Sequence, residues 1–469
     1  MHSSKLIKLS LVLISLLLFC LPVWAQRAVL TVTTLADTDD KVCDASCSLR
    51  DAIFAANPFD TIVFAREIRG GTIELTGQLL INKFLFIDGP NKRRITLKGN
   101  NTFRIFDIRA GVTIDGLIIR DGNALDKEGG AIFSNNNVNL INCAILNNSA
   151  LRGGGIYMLG GSLRLVDTTV AGNTAYAENS AGGMDLFQTN TKIFNSTISG
   201  NRLLSKVDGA GGIRLTNSPS WLVIGSTIAH NSTAANSPGS AGGLVALNGS
   251  PGPLLNTILA NNTGGFSDFY GRFSAARNIL MGITYPFAGL TNGVDGNIIG
   301  TPDAPVDPQI HPLIDNGGGI PTHALRPRSP AVDAGSNLYS TDSHGDPQAL
   351  DQRGFSRPVN STVDIGAFEA NSWAVPITST IEGIARTAEG RGTFKSRITL
   401  NDSTGTIRMI LTHPFGYYRI PGLVSDRFYT LDCFDKRSVF VSQSVFIEEL
   451  KEYVDFRAVD AGSNRPLRH

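Results

Sequence analysis

The sequence predicts an all-β protein. The expected fold is a right-handed parallel β-helix of about nine rungs, with a short N-terminal capping helix and a small β-sandwich after it. Composition is the first reason. Glycine makes up 50 of 469 residues and charged residues only 17%, which is not helical composition. At 42% apolar the chain is too hydrophobic to be disordered. Repetition is the second reason. Five segments share an apolar-x-x-Asn core: Ile145 with Asn148, Val170 with Asn173, Ile198 with Asn201, Ile228 with Asn231, Ile258 with Asn261. The Asn spacings are 25, 28, 30 and 30. Regularity is the third. A Gly-Gly step precedes each core, and its second glycine stands 18, 18, 18, 19 and 18 residues before the Asn.

Taken in chain order, the leader comes first. Lys5 and Lys8 precede an apolar run over 9–21, and Val23-Trp24-Ala25 supplies small residues for cleavage before Gln26. Residues 1–25 are therefore expected to be a signal peptide, and the mature chain to carry no transmembrane segment. Phe19, bulky and next to Cys20, argues against a lipid-attachment site. Without Lys5 and Lys8 the chain has 39 basic residues against 40 acidic ones, so a nucleic-acid partner is not expected.

Residues 26–60 read as an N-terminal cap. Ser48 suits a helix N-cap with Asp51 reaching back to it, and Leu49, Ala52, Ile53 and Ala56 share one face. Such a helix can cover the raw end of a strand stack. Export permits oxidation, and Cys43 and Cys47 are close enough in sequence for one local disulfide. Cys143 and Cys433 are expected to be buried thiols. No further Cys or His stands at zinc-ligand spacing. The acids Asp37, Asp39, Asp40 and Asp44 lack a full calcium-ligand loop. No metal and no cofactor is expected.

Residues 61–300 carry the coils. Between each Gly-Gly and its Asn, residues alternate and are β-branched, as in Lys192-Ile193-Phe194-Asn195-Ser196-Thr197-Ile198, which is strand chemistry at period two. Two short strands and a bend are expected per 18-residue segment. Asn148, Asn173, Asn201, Asn231 and Asn261 are expected to hydrogen-bond as a ladder of equivalent side chains. A hairpin-connected β-sandwich would not hold one fixed register. Length changes collect between each Asn and the next glycine pair, so loops 174–182, 202–211 and 232–242 project on one side as a variable wall.

Residues 47–52, Cys-Ser-Leu-Arg-Asp-Ala, resemble the CSLREA motif of exported bacterial β-helix proteins, with Asp51 in place of the motif's Glu. Residues 301–370 resemble the choice-of-anchor Q domain. Asp315-Asn316-Gly317-Gly318-Gly319, Ser329-Pro330-Ala331-Val332-Asp333-Ala334-Gly335, Asp351-Gln352-Arg353-Gly354 and Val363-Asp364-Ile365-Gly366-Ala367-Phe368-Glu369 carry that resemblance. In that family the segment ends a pectin-lyase-like β-helix, and the resemblance implies a surface or secreted protein without implying chemistry. Residues 371–459 resemble a carboxypeptidase regulatory-like (transthyretin-like) β-sandwich through Pro414-Phe415-Gly416-Tyr417-Tyr418 and Val454-Asp455-Phe456. Residues 460–469 are expected to be a tail.

Catalytic groups are not legible. Glycoside hydrolysis needs paired carboxylates about 5–9.5 Å apart, and no acid recurs at one register. Asp185 follows a Gly-Gly step, but its counterparts are Arg214 and Val245. His230 replaces Gly172 and Gly200 of other repeats, a surface position, and His323, Asp333, Asp351 and Asp364 read as packing or turn residues. The expectation is a monomeric, exported, non-catalytic bacterial surface or secreted protein whose loop wall binds a glycan or cell-surface ligand. The alternative is a polysaccharide lyase or glycoside hydrolase with a groove beside 174–182 and 202–211.

Overall fold

The structure, a computed structural model, describes residues 28–459 except 92, 267, 285–288, 343, 372–377, 403–406, 425–426 and 448–450. The expected signal peptide and tail lie outside the described residues. The chain forms a right-handed parallel β-helix of about eight turns, followed by a small antiparallel β domain.

Each turn lays down three short strands, as in Ile156–Leu159, Ser162–Val166 and Thr169–Ala171. Stacked turns build three parallel faces. Among the described residues the first face has ten strands, from Val29–Val32 to Phe273–Arg277. The second has ten, from Thr72–Glu74 to Ile298–Ile299, and the third eight, from Leu79–Ile81 to Phe269–Tyr270. Three strands thus occupy the segment where two were expected. The corners make room for the third: Gly160 and Gly161 (φ 85° and 69°) turn the chain once, and Asp167 (φ 49°) turns it again. Left-handed backbone bends the chain in one or two residues, and Gly, Asn and Asp tolerate it best.

Inside, like stacks on like. Ile119, Ile145, Val170, Ile198, Ile228 and Leu259 are register partners along the second face, and all are fully buried. At the corner after them runs the asparagine ladder. Asn173 Nδ2 donates to Asn201 Oδ1 (2.9 Å) and to the Ile145 carbonyl one turn back (3.0 Å). Asn201 Oδ1 also accepts the Asn173 backbone N–H (3.0 Å). Asn148 and Asn231 repeat the pattern.

The fifth rung of the ladder is Asn262, and the expectation of Asn261 is corrected. The residue before each ladder Asn is always left-handed: Asn147 (φ 55°), Gly172 (68°), Gly200 (64°), His230 (58°), then Asn261 (58°). Ile228 pairs with Leu259, which places Asn262 in register and leaves Asn261 exposed at the bend.

At the N-terminal end, helix Leu49–Ala55 covers the first turn with Leu49, Ala52 and Ile53 buried. Ser48 Oγ accepts the Asp51 N–H (3.0 Å), and Asp51 also accepts from Thr38 Oγ1 and the Lys41 N–H. Burial would raise the Asp51 carboxyl, but the Ser48 hydroxyl, which donates to it at 2.6 Å, and these donors hold it below the usual range. A disulfide joins Cys43 and Cys47, while Cys143 and Cys433 are free and buried.

Residues 307–370 add no turn to the stack. They run back along the outside of the second face as a strap, from the last turns to the loop bearing Arg94, whose Nη1 donates to the Gly318 carbonyl (3.0 Å). The strap reads a column of outward threonines. Thr169 Oγ1 donates to the Pro321 carbonyl (2.7 Å), Thr197 Oγ1 to Gln352 Oε1 (2.5 Å), and Thr227 Oγ1 accepts the Ala367 N–H (3.1 Å). Beneath it, Ala229, Ile258, Ala260 and Leu280 pack against Ile310, Leu325, Ala331 and Ile365.

Strands between Thr378 and Arg457 form the C-terminal domain, around Ile381, Ile398, Leu400, Tyr418, Leu431 and Phe456. No helix among the described residues is long and apolar enough to cross a membrane.

Candidate functional site

Strand alternation sends every second residue of each third-face strand outward, so the four-residue strands carry two outward positions. Register partners place Asp107, Phe133, Tyr157, Asp185, Arg214, Val245 and Tyr270 in one column parallel to the stack axis. The first face carries Arg164 beside Lys192 at its outward positions, and the second lies under the strap. The third-face column has aromatic residues towards both ends, Phe133 and Tyr157 at one and Tyr270 at the other.

Its N-terminal end is cationic and aromatic. The rings of Phe133 and Tyr157 stack at 5.9 Å and 13°. The guanidinium groups of Arg104 and Arg109 lie 4.9 and 4.7 Å from the Phe133 centroid. Asp107 anchors Arg109 at 2.6 Å. At the other end, Phe266 and Tyr270 stack at 5.4 Å and 7°. They line a cleft of about 990 Å³ with Trp221, Phe269, Pro251 and Arg272. Such concave, largely apolar sites with few polar groups are where ligands bind.

Between the two aromatic ends lies a charge pair. Arg214 Nη1 stands 3.6 Å from Asp185 Oδ1, and the Asp185 side chain is 2% exposed. Asp185 Oδ2 and Arg214 Nε have no hydrogen-bond partner among the described residues. Burial pushes the Asp185 carboxyl up to about 6, against the pull of Arg214, Arg152 and Ser180. Burial raises the Tyr157 hydroxyl too, helped by the negative charges of Asp185 and Glu128.

The variable loops flank this face. Ser180–Ala181 pairs with Gly209–Ala210, and Ala181, Ala210 and Ala241 pack in a small apolar cluster with Val245 of the column, which is fully buried. Tyr176, the aromatic residue of these loops, is exposed. The strip lies on the strands of the repeat, not on the loop wall. Its sequence signal is the second residue after the glycine step, which reads Tyr157, Asp185, Arg214 and Val245.

The other sequence-selected residues lie elsewhere. Asn148, Asn173, Asn201 and Asn231 are buried in the ladder, with no exposure to offer a ligand. His323 is under the strap: its Nδ1–H donates to the His311 carbonyl (2.7 Å), so Ser199 Oγ–H donates to Nε2 (2.7 Å). His230 stands 5.2 Å from it, ring to ring. Burial lowers the His323 imidazole to about 4. Asp351 accepts the N–H groups of Arg353, Phe355 and Glu369, and Asp364 accepts that of Asp333, all turn and closure bonds within the strap. Asp37 is held by Arg50 at 2.7 Å, and Asp40 and Asp44 accept the Val42 and Ser46 N–H groups. Among the described residues no three His, Cys, Asp or Glu side chains gather to hold a metal ion.

No protein-family model matches the chain, and no curated protein matches it.

Proposed function

We propose that the chain is an exported β-helical surface or secreted protein that works as a monomer and presents its third face, without turnover, to a glycan chain. One observation carries this reading: aromatic stacks stand at both ends of the outward column, Phe133 with Tyr157 within it and Tyr270 with Phe266 of the adjoining loop. Aromatic faces pack against the C–H faces of sugar rings while polar edges stay wet. A strip rising about 4.8 Å per turn suits an extended polymer laid along the stack. The likeness of residues 47–52 to the CSLREA motif and of 301–370 to the choice-of-anchor Q domain supports export. The transthyretin-like reading of 371–459 makes that domain a spacer.

A depolymerase is the second reading, and Asp185 favours it, since a carboxyl at about 6 beside Tyr157 is suited to proton transfer. Its weakness is the missing partner. Asp107, the next acid along the column, is three strand spacings away, about 14 Å, and hydrolysis needs about 5–9.5 Å.

Purified residues 26–469 with a panel of acidic and neutral polysaccharides, with and without calcium, distinguish the two. New reducing ends or unsaturated-uronate absorbance that disappear in Asp185→Asn would make the protein a depolymerase. Binding without product, weakened by Tyr270→Ala, supports presentation.

A further inference from the structure

The two aromatic ends of the column differ in what their arginines hold. At the N-terminal end Asp107 takes Arg109 at 2.6 Å, and Arg104 Nε donates to the Glu128 carbonyl (2.9 Å). Near the C-terminal end Arg277 Nη1 is spent on Tyr339 of the strap (2.5 Å). Arg272 is the exception. It is exposed and lines the cleft of about 990 Å³, and it has no hydrogen bond or ion pair with any described residue. No Asp or Glu stands among the described residues that line this cleft, so Arg272 is their one charge.

The surroundings fix a ring beside that charge. Phe266 and Tyr270 are half-buried and stack with their planes 7° apart, so each holds the other's orientation. Gly271 sets the step from Tyr270 to Arg272. Its φ is 145°, and a Cβ there would stand 2.6 Å from the Ala246 carbonyl oxygen, so the step needs glycine. Pro238, from the variable loop 232–242, and Pro251 add stiff apolar lining. The volume is within the range of about 300–1,000 Å³ for sites that take small organic ligands.

Resting on the glycan-presenting reading, we infer that the cleft of Phe266, Tyr270 and Arg272 is a subsite for a sugar ring carrying one anionic substituent, a carboxylate or a sulfate. The charge selects the group. A cationic ring is repelled by Arg272, and a neutral ring gains nothing from its charge. An anionic oxygen pair meets the planar fork of the guanidinium and forms charge-assisted hydrogen bonds. The Tyr270 ring offers the same sugar a flat apolar face. Every group the ligand uses is open to it, since Arg272 is exposed and both rings are part-exposed.

Calorimetry on residues 26–469 tests this with three sets of hexose oligomers of equal length: neutral, hexuronate and sulfated. The variants are Arg272→Gln, Tyr270→Ala and, as a charge control outside the cleft, Arg277→Gln. Arg272 is exposed and unpaired, so Arg272→Gln is expected to melt with wild type. Wild type is expected to bind an anionic set about tenfold tighter than the neutral one. Arg272→Gln is expected to erase that preference and leave neutral binding unchanged, and Tyr270→Ala to weaken every set that binds. Whichever anionic set shows the preference names its source, carboxylate or sulfate, and both doing so supports the subsite equally. Equal affinity for neutral and anionic sets, with Tyr270→Ala still weakening both, overturns the subsite and leaves the glycan-presenting reading standing. So does an anionic preference that Arg272→Gln keeps, or that Arg277→Gln removes as fully. Wild type that binds no set removes that reading and the subsite together.

Discussion

Asn262 passes the end of the asparagine ladder to Asp268: one carboxylate oxygen of Asp268 accepts both the Asn262 backbone N–H (3.1 Å) and its Nδ2 (2.9 Å). The second oxygen accepts the Ile283 N–H at 2.6 Å. The two Asp268 carboxyl oxygens together accept all three of these N–H donors.

Burial pushes the Asp268 carboxyl up to about 7, against its Asn262 and Ile283 donors. A carboxyl whose folded pKa is raised favours the folded state most below its unfolded value near 4, and that contribution is lost as pH rises through about 7. Melting temperature should therefore fall between pH 5 and pH 8, and Asp268→Asn should flatten part of that slope. An unchanged slope in the variant would show that other groups, such as buried Asp167, carry all of it.

His323 gives the opposite sign. Its folded pKa of about 4 lies below the unfolded value of 6.5, so its contribution is present above 6.5 and disappears as pH falls toward 4. The predicted loss by pH 4 is about 3 kcal/mol at most. His323→Gln should remove this acid sensitivity, read by urea titration at pH 7 and pH 4.5. Limited proteolysis should then cut the strap no faster at pH 4.5 than at pH 7.

Ladder membership can be tested by paired substitutions. Asn201→Ala leaves the Asn173 N–H and Nδ2 without their acceptor and the Val170 carbonyl without its donor. Stability should drop by about 3 kcal/mol, from more than one buried group at about 1–3 kcal/mol each. Asn261→Gly, at an exposed left-handed position, should stay within about 0.5 kcal/mol of wild type.

Cys43 and Cys47 close a short loop, four residues apart in sequence. Loop-entropy arithmetic gives about 2 kcal/mol for so short a closure. The double Cys→Ser variant should lose that much, and hydrogen exchange should rise first in helix Leu49–Ala55, which the loop leads into.

Much of the stack was legible in local chemistry. The glycine steps, the β-branched alternation and the ladder positions Asn148, Asn173, Asn201 and Asn231 all sit where the repeat places them. Asn261 was not separable from Asn262, because Ile258 and Leu259 both satisfy apolar-x-x-Asn. The site was harder. Asp185 and Arg214 are 29 residues apart with a variable loop between them, and neither carries a local signature.

Composition, period and turn residues alone determined that this chain stacks short strands into a parallel β-helix with a helical cap and a β domain behind it. Local propensity and regular spacing suffice for that, because every turn solves the same burial problem. Only the tertiary structure decided the ladder's register, the return of 307–370 as a strap over the threonine column, and the strip from Phe133 to Tyr270. Each depends on which residue sits above which. Hydrogen bonds between turns and buried side chains settle that question, across loops whose lengths the local pattern does not constrain.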